Sequence, residues 1–98
     1  MTITKTKNGD ALIIALEGRL DTTTAPELDA ALRESLDGVT DLTLEMGGLA
    51  YLSSAGLRVL LSAQKQMNKQ GKMVLKNVCQ TIMDVFEVTG FSSILTIE

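Results

Sequence analysis

The chain opens with two strand-like segments joined by the turn pair Asn8-Gly9. Thr2–Lys7 alternates weakly between apolar and polar residues, and Asp10–Glu17 is a nearly continuous apolar run. Asn-Gly is common in the tight turns of antiparallel hairpins, and a short apolar run bounded by turn signals is typical of a buried strand. We therefore predict a hairpin whose second strand is buried on both faces.

The next segment changes to helical spacing. Thr24 and Glu27 have the Thr-x-x-Glu spacing of a capping box, and Pro26 between them is tolerated in the first turn of a helix. Apolar residues then recur on one helical face, at Leu28, Ala31, Leu32 and Leu36. A first helix is predicted here, and Gly38 is suited to the left-handed stop that follows many helices.

In the second half of the chain, segments with strand-like spacing again alternate with segments of helical spacing. Asp41–Met46 alternates apolar and polar residues with period two, which predicts a third strand. Gly47-Gly48 is predicted to end this strand and begin a loop. Ser54–Gln70 carries an apolar helical stripe, with polar residues such as Gln64 falling mostly elsewhere, and Gly71 closes it. The remaining predicted elements are a strand at Lys72–Lys76, a helix at Val78–Val88 and a short strand at Ile94–Ile97.

The predicted order of elements is therefore β-β-α-β-α-β-α-β. Strands separated by single helices require crossover connections, which place neighbouring strands parallel and pack the helices on the sheet. Only the first pair, joined by a tight turn, is free to be antiparallel. The sequence predicts an α/β fold with a mixed, mostly parallel sheet, and a chain of 98 residues encloses one core, so residues 1–98 are predicted to form a single domain.

The composition argues against several kinds of chemistry. The chain has no histidine, which excludes Ser-His-Asp and Cys-His catalysis, and its one cysteine cannot supply the usual zinc ligand sets. It also lacks the glycine-rich motifs of nucleotide-binding loops. We expect a protein that is not an enzyme and that holds no cofactor and no metal.

Charge and hydropathy bear on location and partners. A net charge of −3 with three aromatic residues argues against a nucleic-acid surface. No apolar run approaches the roughly 20 residues needed to cross a bilayer. The single cysteine forms no intrachain disulfide, and no basic-then-apolar leader opens the chain. We expect a cytoplasmic monomer without direct membrane contact.

Ser53 and Ser54 stand at the predicted start of the second helix and have two possible roles. A serine at this position caps the helix by accepting a hydrogen bond from an unpaired backbone N–H. The same N–H groups and the helix dipole also tolerate a phosphate, which adds nearly two negative charges. Ala55 and Gly56 are small and leave room for another protein or a kinase to approach. Together these features describe a phosphorylation switch.

Three blocks of sequence carry a resemblance to a known family. They are ALIIALEGRLD at 11–21 with TTTAPEL at 22–28, LTLEMGGLAYLSSAGL at 42–57, and VFEVTGF at 85–91. Through these blocks the chain resembles the STAS domain family, and within it the stand-alone bacterial anti-sigma factor antagonists. The resemblance covers nearly the whole chain, and its central block is the most specific.

The resemblance implies which residues act. In such antagonists the phosphorylated serine lies two residues before the glycine of a Ser-Ser/Thr-Gly-Leu motif, which assigns the role to Ser54. Ser53, where relatives commonly have aspartate, is the second candidate. Arg58 is either a plain exposed charge, which we favour, or a contact to an acidic patch of the kinase. The predicted partner-binding residues are Asp21, Thr22, Thr23, Gly48, Tyr51, Ser53, Ser54, Ala55, Gly56 and Arg58, from the helix start and the loops 20–23 and 46–51.

The implied function is partner switching that regulates sigma-factor-dependent transcription. The unphosphorylated protein would bind an anti-sigma factor that is also a serine kinase, which frees the sigma factor. Phosphorylation of Ser54 would release the pair, and a metal-dependent serine phosphatase would reset it. The alternative is a STAS accessory subunit of a transporter or lipid-trafficking complex, in which the serines only cap the helix and binding is constitutive.

Overall fold

Four strands form one mixed sheet in the computed structural model, which describes all 98 residues. The elements are β1 (Thr2–Asn8), β2 (Ala11–Leu20), α1 (Ala25–Ser35), β3 (Asp41–Leu52), α2 (Ser54–Gln70), β4 (Lys72–Lys76), α3 (Gln80–Thr89) and a 3₁₀ turn (Phe91–Ser93). The strands lie in the order β1-β2-β3-β4. The first pair is antiparallel and the other two are parallel, which confirms the predicted α/β fold.

One face of the sheet carries the core. On β2, Leu12, Ile14 and Leu16 are buried, whereas Ile13 between them is 46% exposed. The chain steps from β2 to β3 to β4 in one direction, and right-handed crossovers in one direction place their helices on the same face. The prediction that β2 is buried on both faces is therefore wrong, since its other face has no helix over it.

The third strand is longer than its hydrophobic pattern predicts. Gly47-Gly48 does not end the strand, because β3 continues to Leu52 and pairs with β2 again from Gly48 onward, after a shift in register. Gly48 lies opposite Glu17, and a Cβ atom on Gly48 would lie only 2.6 Å from the Cγ atom of Glu17. The absence of a side chain at Gly48 lets β3 approach the side chain of Glu17 closely where the register of the two strands shifts. Glycine is often found at such irregular positions within strands. The extra residues carry the strand directly to the start of α2.

The end of the chain also differs from the prediction. Ile94–Ile97 is not a strand; one parallel bridge joins Ile97 to Leu75. The backbone N–H groups of Ile94 and Leu95 donate to the carbonyl of Phe91. These two residues therefore belong to a helical turn and not to the predicted strand. The third helix begins at Gln80 rather than at Val78.

Gln64 of α2 is buried although it is polar. Its side chain is 5% exposed, its Nε2 donates to Oδ1 of Asn68 at 2.9 Å, and its Oε1 has no hydrogen-bond partner. The helical pattern placed Gln64 off the apolar stripe, but α2 packs against both β4 and α1, which widens its buried face. An unpaired buried acceptor destabilises a fold by about 1–3 kcal/mol.

We expect Gln64→Met to raise the free energy of unfolding by about 1 kcal/mol, because methionine has a similar length and flexibility but no unsatisfied oxygen. Urea unfolding followed by circular dichroism measures the change. Gln66→Met, at an exposed position of the same helix, is the control and should leave the stability nearly unchanged. If Gln64→Met is less stable than the wild-type protein, the unpaired Oε1 of Gln64 does not destabilise the fold.

Candidate functional site

The start of α2 separates the roles of the two adjacent serines. Ser53 has an extended backbone at the N-cap, and its Oγ accepts a long hydrogen bond, 3.4 Å, from the N–H of Gly56. Ser54 is the first helical residue; it is exposed, and its hydroxyl has no hydrogen-bond partner within the protein. The capping role therefore belongs to Ser53, and the hydroxyl of Ser54 is free at the surface.

Gly56 has a different role from the one its small size suggested. It is buried, and a Cβ atom on it would lie 2.7 Å from Cγ of Leu20 and 2.7 Å from Cδ1 of Leu52. Both leucines belong to the core, so neither can move aside freely. Gly56 lets the first turn of α2 rest on the ends of β2 and β3. It offers no surface to a partner.

The turn between β2 and α1 is organised by Asp21. Its Oδ1 accepts hydrogen bonds from the N–H groups of Thr23 and Thr24 at 3.0 and 3.1 Å, and from the hydroxyl of Thr23 at 2.8 Å. The hydroxyl of Thr24 donates to the carbonyl of Arg19 at 2.7 Å and accepts from the N–H of Asp21 at 2.8 Å. These bonds hold the turn 21–24 in one shape.

The predicted capping box of Thr24 and Glu27 is not formed. Thr24 already has helical backbone angles, φ −99° and ψ −20°, and its side chain makes no cap bond to the helix. A capping side chain normally projects from an extended residue. The carboxylate of Asp21 instead satisfies the N–H groups ahead of α1, and the hydroxyl of Thr24 is used inside the turn.

The same hydrogen bonds act on the charge of Asp21. The hydroxyl of Thr23, supported by the backbone N–H groups of Thr23 and Thr24, lowers the pKa of Asp21 below its ordinary value because these donors favour the carboxylate. A lowered pKa means that the charged form stabilises the fold at neutral pH, and this contribution is lost as the pH falls through the lowered value. The turn beside α2 therefore stays negatively charged at neutral pH.

Tyr51 and Arg19 form an exposed pair beside this turn. Tyr51 is 40% exposed, and the guanidinium carbon of Arg19 lies 4.0 Å from the centre of its ring. Nε of Arg19 also lies 3.7 Å from Oδ2 of Asp21. Sequence reasoning missed Arg19, because β2 and β3 pair with shifts in register that only the structure shows.

A shallow groove of about 400 Å³ runs between α1 and α2, from Thr22 and Ala55 at the starts of the helices to Arg33 and Ser62. Its walls include Thr22 and Pro26 on one side and Ala55 and Arg58 on the other. At the far end of the two helices, Nε2 of Gln70 donates to the carbonyls of Leu36 and Val39, both at 2.6 Å, which ties α2 to the end of α1. The groove is thus a fixed feature of the helix pair.

The structure contains neither a cluster of metal-ligating side chains nor a helix that could span a membrane. No three or more histidine, cysteine, aspartate or glutamate side chains converge as a metal-binding group would. None of the helices combines the length and the apolar character needed to span a membrane.

Comparison with protein families decides the family. A model of the STAS domain matches residues 2–98. The chain belongs to the STAS domain family.

Two relatives show which STAS proteins it is similar to. One is BtrV of Bordetella bronchiseptica, a candidate anti-sigma factor antagonist, which is 38% identical across 99% of this chain and 85% of its own. The other is the anti-sigma-B factor antagonist of Listeria monocytogenes, 30% identical across 96% of this chain and 84% of its own.

Solved structures share the fold. The anti-sigma factor antagonist SpoIIAA in its unphosphorylated form superposes with a TM-score of 0.78 at 19% identity, over 99% of this chain and 87% of SpoIIAA. The phosphorylated form of SpoIIAA, from Bacillus, has a TM-score of 0.77 at 19% identity, over 99% of this chain and 91% of its own. At 19% identity, the structural similarity to SpoIIAA supports only the shared fold.

The STAS domain brings most of the predicted partner-binding residues to one end of the sheet. The N–H of Ser53 donates to the carbonyl of Leu20 at 2.9 Å, which joins the start of α2 to the turn of Asp21, Thr22 and Thr23. Two predicted residues are not part of the exposed surface there. Gly56 is at this end of the sheet but buried, and Gly48 is exposed but lies four residues before Leu52 on β3, about 13 Å along the strand. The predicted loop 46–51 is part of β3.

Proposed function

We propose that this STAS domain is an anti-sigma factor antagonist, which binds its anti-sigma factor through the start of α2 and is released by phosphorylation of Ser54. The free, exposed hydroxyl of Ser54 carries the proposal. Because Ser53 supplies the helix cap, the hydroxyl of Ser54 has no structural task, and its modification breaks no hydrogen bond within the domain.

The position of Ser54 suits a switch that acts on the surface rather than on the fold. As the first residue of α2, it lies at the positive end of the helix dipole, beside backbone N–H groups that have no partner in the helix. A phosphate there is tolerated by the fold. It also adds nearly two negative charges to a surface that a partner contacts when the hydroxyl is neutral.

The proposed contact surface comprises the exposed side chains around Ser54. Thr22 and Thr23 flank it from the turn, Tyr51 with Arg19 from the strand ends, and Arg58 from the next helical turn. Tyrosine and arginine are enriched among the residues that dominate binding energy at interfaces. We include Arg19 in the surface, and we assign Gly56 and Gly48 no direct contact.

The names of the sequence relatives support the identity of the partner. The Listeria relative is named an anti-sigma-B factor antagonist and BtrV a candidate anti-sigma factor antagonist, and this chain spans 84% or more of both. In the proposed cycle the anti-sigma factor is also the serine kinase, and a metal-dependent serine phosphatase restores the binding form. We place this exchange in the cytoplasm, where sigma factors act on transcription. No observation favours the constitutive accessory subunit, in which both serines would only cap the helix.

The proposal is tested by mapping the phosphate. The purified protein is used to capture partners from the native lysate, and the captured kinase is then supplied with ATP. Mass spectrometry is expected to place the phosphate on Ser54, with Ser54→Ala unmodified. Ser53→Ala, the matched control, should still be phosphorylated although it loses the cap. A phosphate on Ser53 or at another position would overturn the site assignment, and capture of no anti-sigma factor would overturn the identity of the partner.

A further inference from the structure

Arg58 lies one helical turn beyond Ser54 on the same side of α2. Residues four apart on a helix are neighbours, and the Cα–Cβ bonds of a helix tilt toward its N-terminus. The side chain of Arg58 is therefore long enough to reach Ser54 from its own turn. Both residues are exposed, so neither has to leave the core to reach the other.

No acidic group in the structure holds Arg58. It takes part in no hydrogen bond and no ion pair, and the first turn of α2 contains no acidic residue. Two acids of neighbouring elements are already engaged, and Glu27 in the first turn of α1 pairs with no cation. Asp29 of α1 pairs with Nε of Arg33 at 2.8 Å, and Asp21 binds Thr23, Thr24 and Arg19.

A phosphate on Ser54 would give this free cation a partner within its own helix. Guanidinium groups match the oxygen atoms of a phosphate with two parallel hydrogen bonds, which are stronger than neutral ones. We propose that Arg58 binds the phosphate of phosphorylated Ser54 and holds it against the start of α2. The phosphate itself rests on the proposed function; its capture by Arg58 is the new element.

The contact would give phosphorylation two effects on the proposed surface. The modification adds negative charge at Ser54, and it also withdraws the free cation of Arg58 from the edge of the groove. A partner that uses Arg58 to bind the unmodified protein would lose that contact at the same time as it meets the phosphate. One covalent change would then alter two neighbouring points of the interface.

The test measures the second pKa of the phosphate. Phosphoserine is inserted at position 54 during translation, so no kinase is needed, and ³¹P NMR follows its titration. A nearby cation favours the dianion and lowers this pKa from its usual value of about 6. We expect Arg58→Gln to raise the pKa by about 0.3 units, the size implied by a helical pair of residues four apart.

Lys65→Gln is the matched control, because it removes the same charge from the same helix about 16 Å from Ser54, beyond the screening distance of about 8 Å at physiological salt. Its effect should be below about 0.1 units. The other charged groups nearby are the same in both variants: Arg19, Asp21, and Glu27, Asp29, Arg33 and Glu34 of α1. Arg58→Lys, which keeps the charge but not the paired donors, should lie between wild type and Arg58→Gln.

Equal shifts for Arg58→Gln and Lys65→Gln would overturn the contact. This failure is distinguishable from failure of the proposed function, because the titration does not depend on which residue the kinase modifies. A phosphate mapped elsewhere with an intact pKa shift would refute the site of the switch alone. A phosphate mapped to Ser54 with no shift would refute the role of Arg58 alone.

Discussion

Gly71→Ala is expected to lower the free energy of unfolding by about 3 kcal/mol or more. A Cβ atom on Gly71 would lie 2.0 Å from the carbonyl oxygen of Thr40 and 2.6 Å from its carbonyl carbon. Overpacking that side chains can relieve usually destabilises a protein by about 1–3 kcal/mol. Here the obstacle is backbone, so no change of rotamer can relieve it.

The obstacle at Gly71 lies where β4 joins the sheet. The N–H of Lys72 donates to the same carbonyl of Thr40 at 3.0 Å, and the pairing of β3 with β4 begins at the next residue, Asp41. To make room for a methyl group, the end of α2 and the start of β4 must move away from this bond together. The loss of stability therefore includes the ordered start of β4 as well as the direct clash.

Urea unfolding followed by circular dichroism measures this prediction, with Gly47→Ala as its control. A Cβ atom on Gly47 would lie 3.0 Å from the carboxylate of Glu45, at the end of a flexible side chain, and 3.6 Å from Cβ of Asn77, an ordinary contact. We expect Gly47→Ala to change the stability by less than about 1 kcal/mol. Equal stabilities of the two variants would refute the role given to Gly71.

Ser54→Asp is expected to weaken binding to the anti-sigma factor by about 30-fold or more, equivalent to about 2 kcal/mol. Aspartate places a negative charge at the centre of the proposed surface, and a charge that faces an unsuited partner surface is costly. Ser54→Ala should change the dissociation constant by less than about threefold, because the hydroxyl makes no bond within the protein. Isothermal titration or biolayer interferometry with the captured partner measures both variants.

The control for Ser54→Asp carries the same change of net charge elsewhere. Ser92 is exposed in the 3₁₀ turn after α3. Both α2 and α3 begin where a parallel strand ends, α2 after β3 and α3 after β4, whereas the 3₁₀ turn follows the other end of α3. Ser92→Asp should leave binding nearly unchanged. If Ser54→Asp binds as tightly as Ser92→Asp, charge at Ser54 does not control the complex.

Much of the fold could be predicted from local pattern. Period-two and helical spacing identified the first four strands and the three helices in their correct order, and the predicted start and end of α2, Ser54 and Gln70, agree with the structure. These features depend on residues within a few positions of one another, which the sequence displays directly. The predicted final strand at 94–97 was wrong because half of this short apolar run, Ile94 and Leu95, is hydrogen-bonded in a helical turn. A short apolar run does not show this in the sequence.

The candidate site divides in the same way. The sequence alone placed both serines at the start of α2, and the family resemblance chose Ser54. The hydrogen bond from Gly56 to Ser53 could not be predicted, since either serine would have suited the cap. The pairing of Arg19 with Tyr51 could not be predicted either, because it depends on the alignment of two strands that are joined through a whole helix.

By itself the sequence determined the first four strands, the three helices, their order and the residues at the start of α2, because hydrophobic period, turn residues and caps act between near neighbours in the chain. Only the tertiary structure decided which face of β2 is covered, that Gly56 and Gly71 are small to admit neighbouring segments, and that Gln64 is buried. These properties depend on contacts between segments distant in the sequence, and close packing makes such contacts sensitive to a single methyl group. The sequence gives the type of each residue, but only the folded structure shows which neighbouring residue requires that type.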